Sequence, residues 1–389
     1  MREATGFPGL KQAAKRFGTP LYVYDERVIA DRYRELVRSI RYPKLEVHYA
    51  MKANANPRVL RLLRRLGSDV ETVSPGEIRL AKQAGFTPKQ IAFTCASASA
   101  ADLDAAVRGG ATVNADSLHQ LEYLAKRLPK RRPLGVRINQ GIAGGHHKHV
   151  MTGGPDSKFG IDPGQVRDAR RIAAKYGRKI NGIHQHIGSN VLDPPLFAKA
   201  MRALLGTARQ FDELDYVDFG GGFGVPYRPD EPRLDIPELG RLIDKTMAAF
   251  MAAAGYEPRL AFEPGRYLVA EAGTLLVTVT DYKVTPHKVF VGVDSGFNQL
   301  LRPAMYGSYH HIENVSNPRG RRCTVTIAGN VCESGDVFAR DRPLAASRLG
   351  DLLAIRTAGA YGETMASTYN ARPLPKAAVI TTAGKLVAS

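Results

Sequence analysis

The sequence predicts an α/β barrel joined to an all-β domain. Three observations carry that expectation. Short β-branched or aromatic runs alternate with longer amphipathic segments until eight strands lie between positions 45 and 263. After Glu263 the alternation stops, and strand-like runs follow one another without helices of comparable length. The chain, at 389 residues, also exceeds what one core usually serves. Strand and helix repeated eight times is the pattern of a closed (β/α)8, TIM-like barrel. The expected division is a barrel over 26–269, with 1–25 and 270–389 forming a β-barrel or sandwich domain.

In chain order, LYVYD (21–25) is the first apolar run, and its acidic end could cap the helix-like stretch ERVIADRYRELVRSI that follows. The barrel strands are then LEVHYA (45–50), DVETV (69–73), IAFT (91–94), TVNA (112–115), LGVRIN (134–139), NGIHQHI (181–187), YVDFG (216–220) and RLAFE (259–263). Helix-like stretches at 56–66, 75–84, 100–109, 117–127, 163–176, 195–212 and 236–254 carry apolar residues three and four apart. Beyond them, 274–285, 288–294, 322–329, 351–359 and 376–384 read as strands of the second domain. The segments 140–160 and 225–235, rich in Gly, Pro and His, are long connections of the kind that carry function.

Composition narrows the function classes. With 44% hydrophobic and 24% charged residues, the chain has the make-up of an ordinary globular protein able to bury a large core. No apolar run approaches the roughly 18 residues that cross a bilayer, and the N-terminal stretch lacks the apolar segment of a signal peptide. No membrane association and a cytoplasmic location are therefore expected. Cys95, Cys323 and Cys332 form neither a disulfide framework nor a metal-ligand spacing, so no metal is expected. The net charge of +18 raises the question of nucleic acid, but the basic clusters at 61–67, 126–133 and 167–179 are interleaved with Leu, Ala and Ile as solvated helix faces are. A positive field of this size suits an anionic substrate better.

In such a barrel the chemistry gathers where strands end. Lys52, in YAMKAN at the end of the first barrel strand, is either a solvated lysine or a partly desolvated amine able to bond covalently to a carbonyl. The sixth strand ends in His186, Ile187, Gly188 and Ser189. His186 could be a core histidine or lie flat against an aromatic ligand. The seventh runs into Gly220 to Gly224, either a tight turn or a backbone cradle for phosphate, and the eighth into Glu263, Pro264, Gly265 and Arg266. A carboxylate such as Glu263 opposite a pyridine nitrogen would keep that nitrogen protonated and make the ring an electron sink. Lysine, glycine loops and carboxylate together read as a site for pyridoxal 5'-phosphate.

These residues lie in stretches that resemble the barrel-type (fold type III) pyridoxal-phosphate decarboxylases: YAMKAN (49–54), SPGEI (74–78), TGGPDSKFGI (152–161), HIGSN (186–190), GGGFGVPY (220–227), EPGR (263–266), VDSGFNQLLRPAMYGSYHHI (293–312), CESGD (332–336) and GAYGETMASTYNARP (359–373). They span nearly the whole chain in family order, and the likeness is strongest to members acting on diaminopimelate. The resemblance implies an alanine-racemase-like barrel and decarboxylation of meso-2,6-diaminopimelate to L-lysine and carbon dioxide, the last step of lysine biosynthesis. It implies that Lys52 bonds to the cofactor, His186 stacks on its ring and Glu263 meets its nitrogen. Ser189, Gly222, Gly265 and Arg266 would hold the phosphate. Arg266, Arg302 and Tyr306 would take the distal part of the substrate, Glu333 its distal ammonium, and Tyr361 both cofactor and substrate. Cys332 would be the proton donor; alone it could equally be a buried small hydrophobe. The family pattern also implies a homodimer in which Cys332 and Glu333 reach the partner's site, the β domain contributing to active site and interface.

The sequence departs from that pattern at three places: Glu71 where Asp is usual, Glu363 and Thr364 where small residues are usual, and a C-terminus at Ser389 that stops short of an acidic helix. A carboxylate at Glu363 would favour a second cation. A relative acting on D-lysine, D-ornithine or a carboxylated polyamine is therefore the alternative. A catalytically inactive binding protein and a racemase on the same barrel are the readings from other classes.

Overall fold

The computed structural model describes residues 6–144, 154 and 157–389. Most of the 140–160 connection, including Thr152, Gly153, Pro155 and Asp156 of TGGPDSKFGI, lies outside the described residues. Two compact units emerge: Tyr33–Gly224 with Arg233–Gly265, and Met1–Arg32 with Val225–Pro232 and Arg266–Ser389. Strands are numbered along the chain: β1 (Leu21–Asp25), β2 (Leu45–Ala50), β3 (Asp69–Thr72), β4 (Ile91–Thr94), β5 (Thr112–Ala115), β6 (Leu134–Arg137), β7 (Gly182–His184), β8 (Tyr216–Asp218), β9 (Arg259–Phe262), β10 (Gly273–Val284), β11 (Val289–Val293), β12 (Ile312–Asn314), β13 (Arg322–Ala328), β14 (Val337–Ala345), β15 (Leu352–Ile355), β16 (Lys376–Ile380) and β17 (Leu386–Ala388).

In the first unit β2 to β9 pair in parallel and close, with Leu45, Glu46 and Val47 of β2 against Leu260, Ala261 and Phe262 of β9. Strands covered on both faces need no polar alternation, and β4, β6, β7 and β8 are buried at every position. The helices between them start on side-chain caps. Asn56 accepts from Arg58 N–H, Ser74 from Glu77 N–H and Ser117 from Gln120 N–H, while Ser99 and Asp102 cap each other reciprocally. Inside the barrel the Tyr216 ring lies against β7 and donates its hydroxyl to Asn114 at 2.6 Å. A Cβ at Gly182 would overlap that ring, so glycine there makes room for it.

In the second unit the sheet order is β14-β13-β11-β10-β1-β16-β17, with β15 pairing both β10 and β12. Thus LYVYD belongs to this sheet: β1 pairs antiparallel with β10 and parallel with β16. Asp25 does cap the helix after it, accepting from the Arg27 N–H at 3.0 Å. Tyr22, Leu275, Val277, Val291, Ile327, Leu353 and Val379 form the main core of this sheet. Helix Phe7–Phe17 was not anticipated; Leu10 and Ala13 are buried with Leu21, Val23, Leu276 and Ala378 on the other face.

Candidate active site

Lys52 sits in a single 3-10 turn, Met51–Ala53, directly after β2. Asn54 N–H closes the turn on Met51 O at 3.0 Å, and Tyr49 donates its hydroxyl to Asn54 O at 2.9 Å. The Lys52 ammonium is half-exposed and donates to buried Glu71 Oε2 of β3 at 2.6 Å. Burial, with the charge of Glu263, pushes the Glu71 carboxyl up to about 7 against the pull of Lys52. The unusual Glu71 is thus the lysine's ion-pair partner.

The ends of β7, β8 and β9 converge next. His186 lies two residues past β7, and its Nδ1 accepts from Gly221 N–H at 3.1 Å. Burial and the charges of Lys52 and Arg137 push its imidazole down to about 3, leaving a neutral ring. Glu263, just past β9, is buried; its Oε2 lies 3.2 Å from His184 Nε2 and is held well below the usual carboxylate range by His184 and Lys52 against the upward push of burial. The glycines divide into two groups. Gly220 N–H is spent on Asp218 Oδ1 at 2.8 Å and Gly221 N–H on His186. A Cβ on either would overlap backbone, of Gln185 at Gly220 and of Glu263 at Gly221. Gly222 (φ +108°) and Gly265 have N–H groups with no partner among the described residues. Ser189 is half-buried on the loop after His186.

The second unit gathers the arginines. Arg266 and Arg302 are both buried. Arg266 Nη1 donates to Tyr227 Oη at 2.6 Å, and its guanidinium lies over the Tyr361 ring at 4.9 Å. Arg302 lies over the Tyr227 ring at 4.4 Å and donates to His310 Nε2 at 3.0 Å. His310 Nδ1 in turn donates to Arg356 O at 2.9 Å. Burial and the Arg302 charge push His310 down to about 3, so it accepts as a neutral ring. Arg302 has no carboxylate partner among the described residues. Tyr306 ends the short helix Arg302–Tyr306, and Tyr361 holds a left-handed backbone at φ +55°. Glu363 accepts from the buried Tyr24 hydroxyl at 2.6 Å, while Thr364 is exposed.

Cys332 and Glu333 stand on an exposed turn. Buried Asp336 holds that turn through the N–H groups of Val331 (2.8 Å) and Phe297 (2.6 Å), and Cys332 N–H donates to Asn370 Oδ1 at 2.7 Å. Glu333 Oε1 accepts from the Tyr369 hydroxyl at 3.3 Å. Sequence reasoning missed His184, Asp218, Tyr227 and His310. The signal for His184 was present, because it stands two residues before His186 and so shares its face of the strand.

Residues 27–270 match the family described as "Pyridoxal-dependent decarboxylase, pyridoxal binding domain". A diaminopimelate decarboxylase of Methanothermobacter thermautotrophicus is 43% identical over 384 residues, covering 96% of this chain and 89% of its own. Another from Aquifex aeolicus is 35% identical, covering 94% and 87%. The solved structure of an M. jannaschii diaminopimelate decarboxylase in complex with L-lysine superposes with a TM-score of 0.89 at 35% identity, covering 97% of this chain and 90% of that one. The chain belongs to the pyridoxal-dependent decarboxylases, in the branch of the diaminopimelate decarboxylases.

The cofactor is accordingly pyridoxal 5'-phosphate, and the barrel residues fit it. Glu263 Oε1 is buried with no partner among the described residues, as suits an acceptor for a pyridine N–H. The uncommitted N–H groups of Gly222 and Gly265 suit phosphate oxygens, and the Lys52 amine suits a covalent bond to the aldehyde.

Proposed function

We propose that this chain decarboxylates meso-2,6-diaminopimelate to L-lysine and carbon dioxide, closing lysine biosynthesis in the cytoplasm. The observation that carries the substrate choice is Arg302, buried, stacked on Tyr227 and lacking a carboxylate partner among the described residues. A buried guanidinium is costly until an anion meets it, and diaminopimelate brings a distal carboxylate where D-lysine and D-ornithine bring none. Arg266 and Tyr306 complete that grip, and Glu363, already taken by Tyr24, speaks less for a second cation than its sequence position suggests.

The barrel over 26–269 would hold the cofactor through Lys52, His186, Ser189, Gly222, Glu263, Gly265 and the backbone at Arg266, with Tyr361 from the β domain (1–25 and 270–389). Pyridoxal phosphate, when bound, supplies an electron sink for the pair left at the α-carbon as carbon dioxide departs. The residues of the chain bind, orient and move protons. Lys52 would hold the cofactor through its amine, beside Glu71 as its ion-pair partner. Arg266, Arg302 and Tyr306 grip the L-centre, and Glu333 its ammonium, so that the D-centre carboxylate is the one lost. The Cα–carboxylate bond breaks, and Cys332 delivers the proton that replaces it at Cα. The exposure of Cys332 and Glu333 on their turn supports a homodimer in which each chain lends them to its partner's site.

A panel of substrates tests the reading with purified protein and pyridoxal phosphate. Carbon dioxide release from meso-diaminopimelate, with L-lysine as product, is expected. Efficient turnover of D-lysine or D-ornithine with none of diaminopimelate would reject it.

A further inference from the structure

The barrel encloses a row of alternating carboxylates and imidazoles that the reading above leaves unused. At one end Glu263 Oε2 meets His184 Nε2 of β7 at 3.2 Å, both buried. His184, Glu263 and Asp218 of β8 bring ligand atoms within 4.8 Å of one another. Asp218 Oδ2 lies 3.7 Å from His48 Nδ1 of β2, whose Nε2 reaches Glu46 at 3.4 Å and Asp69 at 3.7 Å. Glu263 spends one oxygen on this row and keeps Oε1, buried, without a partner among the described residues.

A carboxylate only accepts hydrogen bonds, so beside an ionised Glu263 the His184 nitrogen must carry a proton. The groups facing His184 favour that. Glu263 and Asp218 press the imidazole toward its charged form against burial and Arg137, whose own charge is met by Asp116 at 3.2 Å, and the balance is upward. Were Glu263 protonated instead, it would donate to a pyridine nitrogen rather than accept from one, and the ring would stay neutral and be a poor electron sink.

We propose that His184 is a positioning residue that donates its Nε2 proton to Glu263, holding that carboxylate ionised with Oε1 left for the ring nitrogen of pyridoxal phosphate. Asp218 and His48 extend the row, so each buried charge has an opposite neighbour. The inference rests on the assignment of Glu263 to the ring nitrogen and is independent of the substrate.

The test is the nitrogen-15 resonance of pyridoxal phosphate labelled at its ring nitrogen, bound to the parent protein, to His184→Asn and to Glu263→Gln. The parent should show a protonated ring nitrogen across the neutral range. Both variants should lose that signature toward the neutral-pyridine position while retaining the cofactor. If Glu263→Gln loses it and His184→Asn keeps it, His184 is packing only and the proposal is overturned. If Glu263→Gln also keeps it, the assignment of Glu263 fails and the proposal falls with it. Should His184→Asn fail to fold, neutron diffraction from the parent holoenzyme decides: deuterium on His184 Nε2 directed at Glu263 supports the proposal, and a bare Nε2 overturns it.

Discussion

His48 stands in the barrel among Glu46, Asp69 and Asp218. Burial alone would push its imidazole down, but the bond to Glu46 and the charges of Asp218 and Asp69 more than offset this and carry it to about 9, from an ordinary 6.5. A folded-state value above the unfolded one means the folded chain binds the proton more tightly. The stability gained is fully present below pH 6.5 and is lost as pH rises through 9, amounting to about 3 kcal/mol. His48→Gln should therefore narrow the gap to the parent in urea unfolding as pH climbs across that window; a gap that stays constant would show that His48 is not charged in the fold. Tyr227 offers a second check. Tyr227→Phe keeps the ring under Arg302 but removes the acceptor for Arg266, a charge-assisted bond worth about 1.5–3 kcal/mol. The expected result is a KM for diaminopimelate raised by about ten- to a hundredfold with kcat little changed. A fall in kcat alone would remove Tyr227 from substrate binding. These side chains were hard to find in the sequence because each acts through another residue. Lys52 and Glu263 lie just past strand ends, Glu263 directly before Pro264 and Gly265, whereas Tyr227 and His310 matter only for the guanidiniums they hold.

Elements were more legible than side chains where burial imposed a pattern. The eight barrel strands are short and apolar and are set apart by helices with Ser, Asn and Gly at their ends, so sequence alone finds them and misjudges only their end residues. LGVRIN and NGIHQHI are shorter as strands: Ile138 N–H still donates to His184 O and Gln185 N–H to Asp218 O, but beyond the ladder Ile138 makes an isolated bridge to Ile161. Strand β14 escaped because Arg340, Asp341, Arg342 and Pro343 break any alternation, with Asp341 at φ +48° beside a register shift. β12 and β17 are three residues each, too short for a period. Helix Phe7–Phe17 escaped for another reason: only Leu10 and Ala13 of its eleven residues are buried, so its apolar stripe is narrow. That stripe is nonetheless anchored on Leu21, Val23 and Leu276. Leu10→Ala should lower the unfolding free energy of the β unit by about 2–4 kcal/mol, read as an earlier urea midpoint, because it leaves a cavity under the helix. An unchanged midpoint would mean that the helix contributes nothing to that unit.

At the scale of the molecule, sequence arithmetic and chain order speak most plainly. The excess of 55 Lys and Arg over 37 Asp and Glu gives the net +18, a positive field that acts on the carboxylates of a ligand and weakens with salt. Among the described residues no helix is long and apolar enough to cross a membrane. Neither observation bears on assembly, yet the proposed chemistry depends on it. Cys332 and Glu333 are exposed on a turn that buried Asp336 fixes from beneath, an arrangement that keeps reactive side chains outward without loosening the backbone. If each site takes its lysine from one chain and its cysteine from the other, two inactive proteins can repair each other. Lys52→Ala and Cys332→Ala, each alone, should abolish or nearly abolish turnover. Mixed and allowed to exchange, half of the dimers would be hybrids, and each hybrid would hold one site with both residues intact and one with neither. Recovery of about a quarter of the parent activity is expected under C2 symmetry. Sites built wholly within one chain would give no recovery at all, because every hybrid site would then carry one of the two lesions.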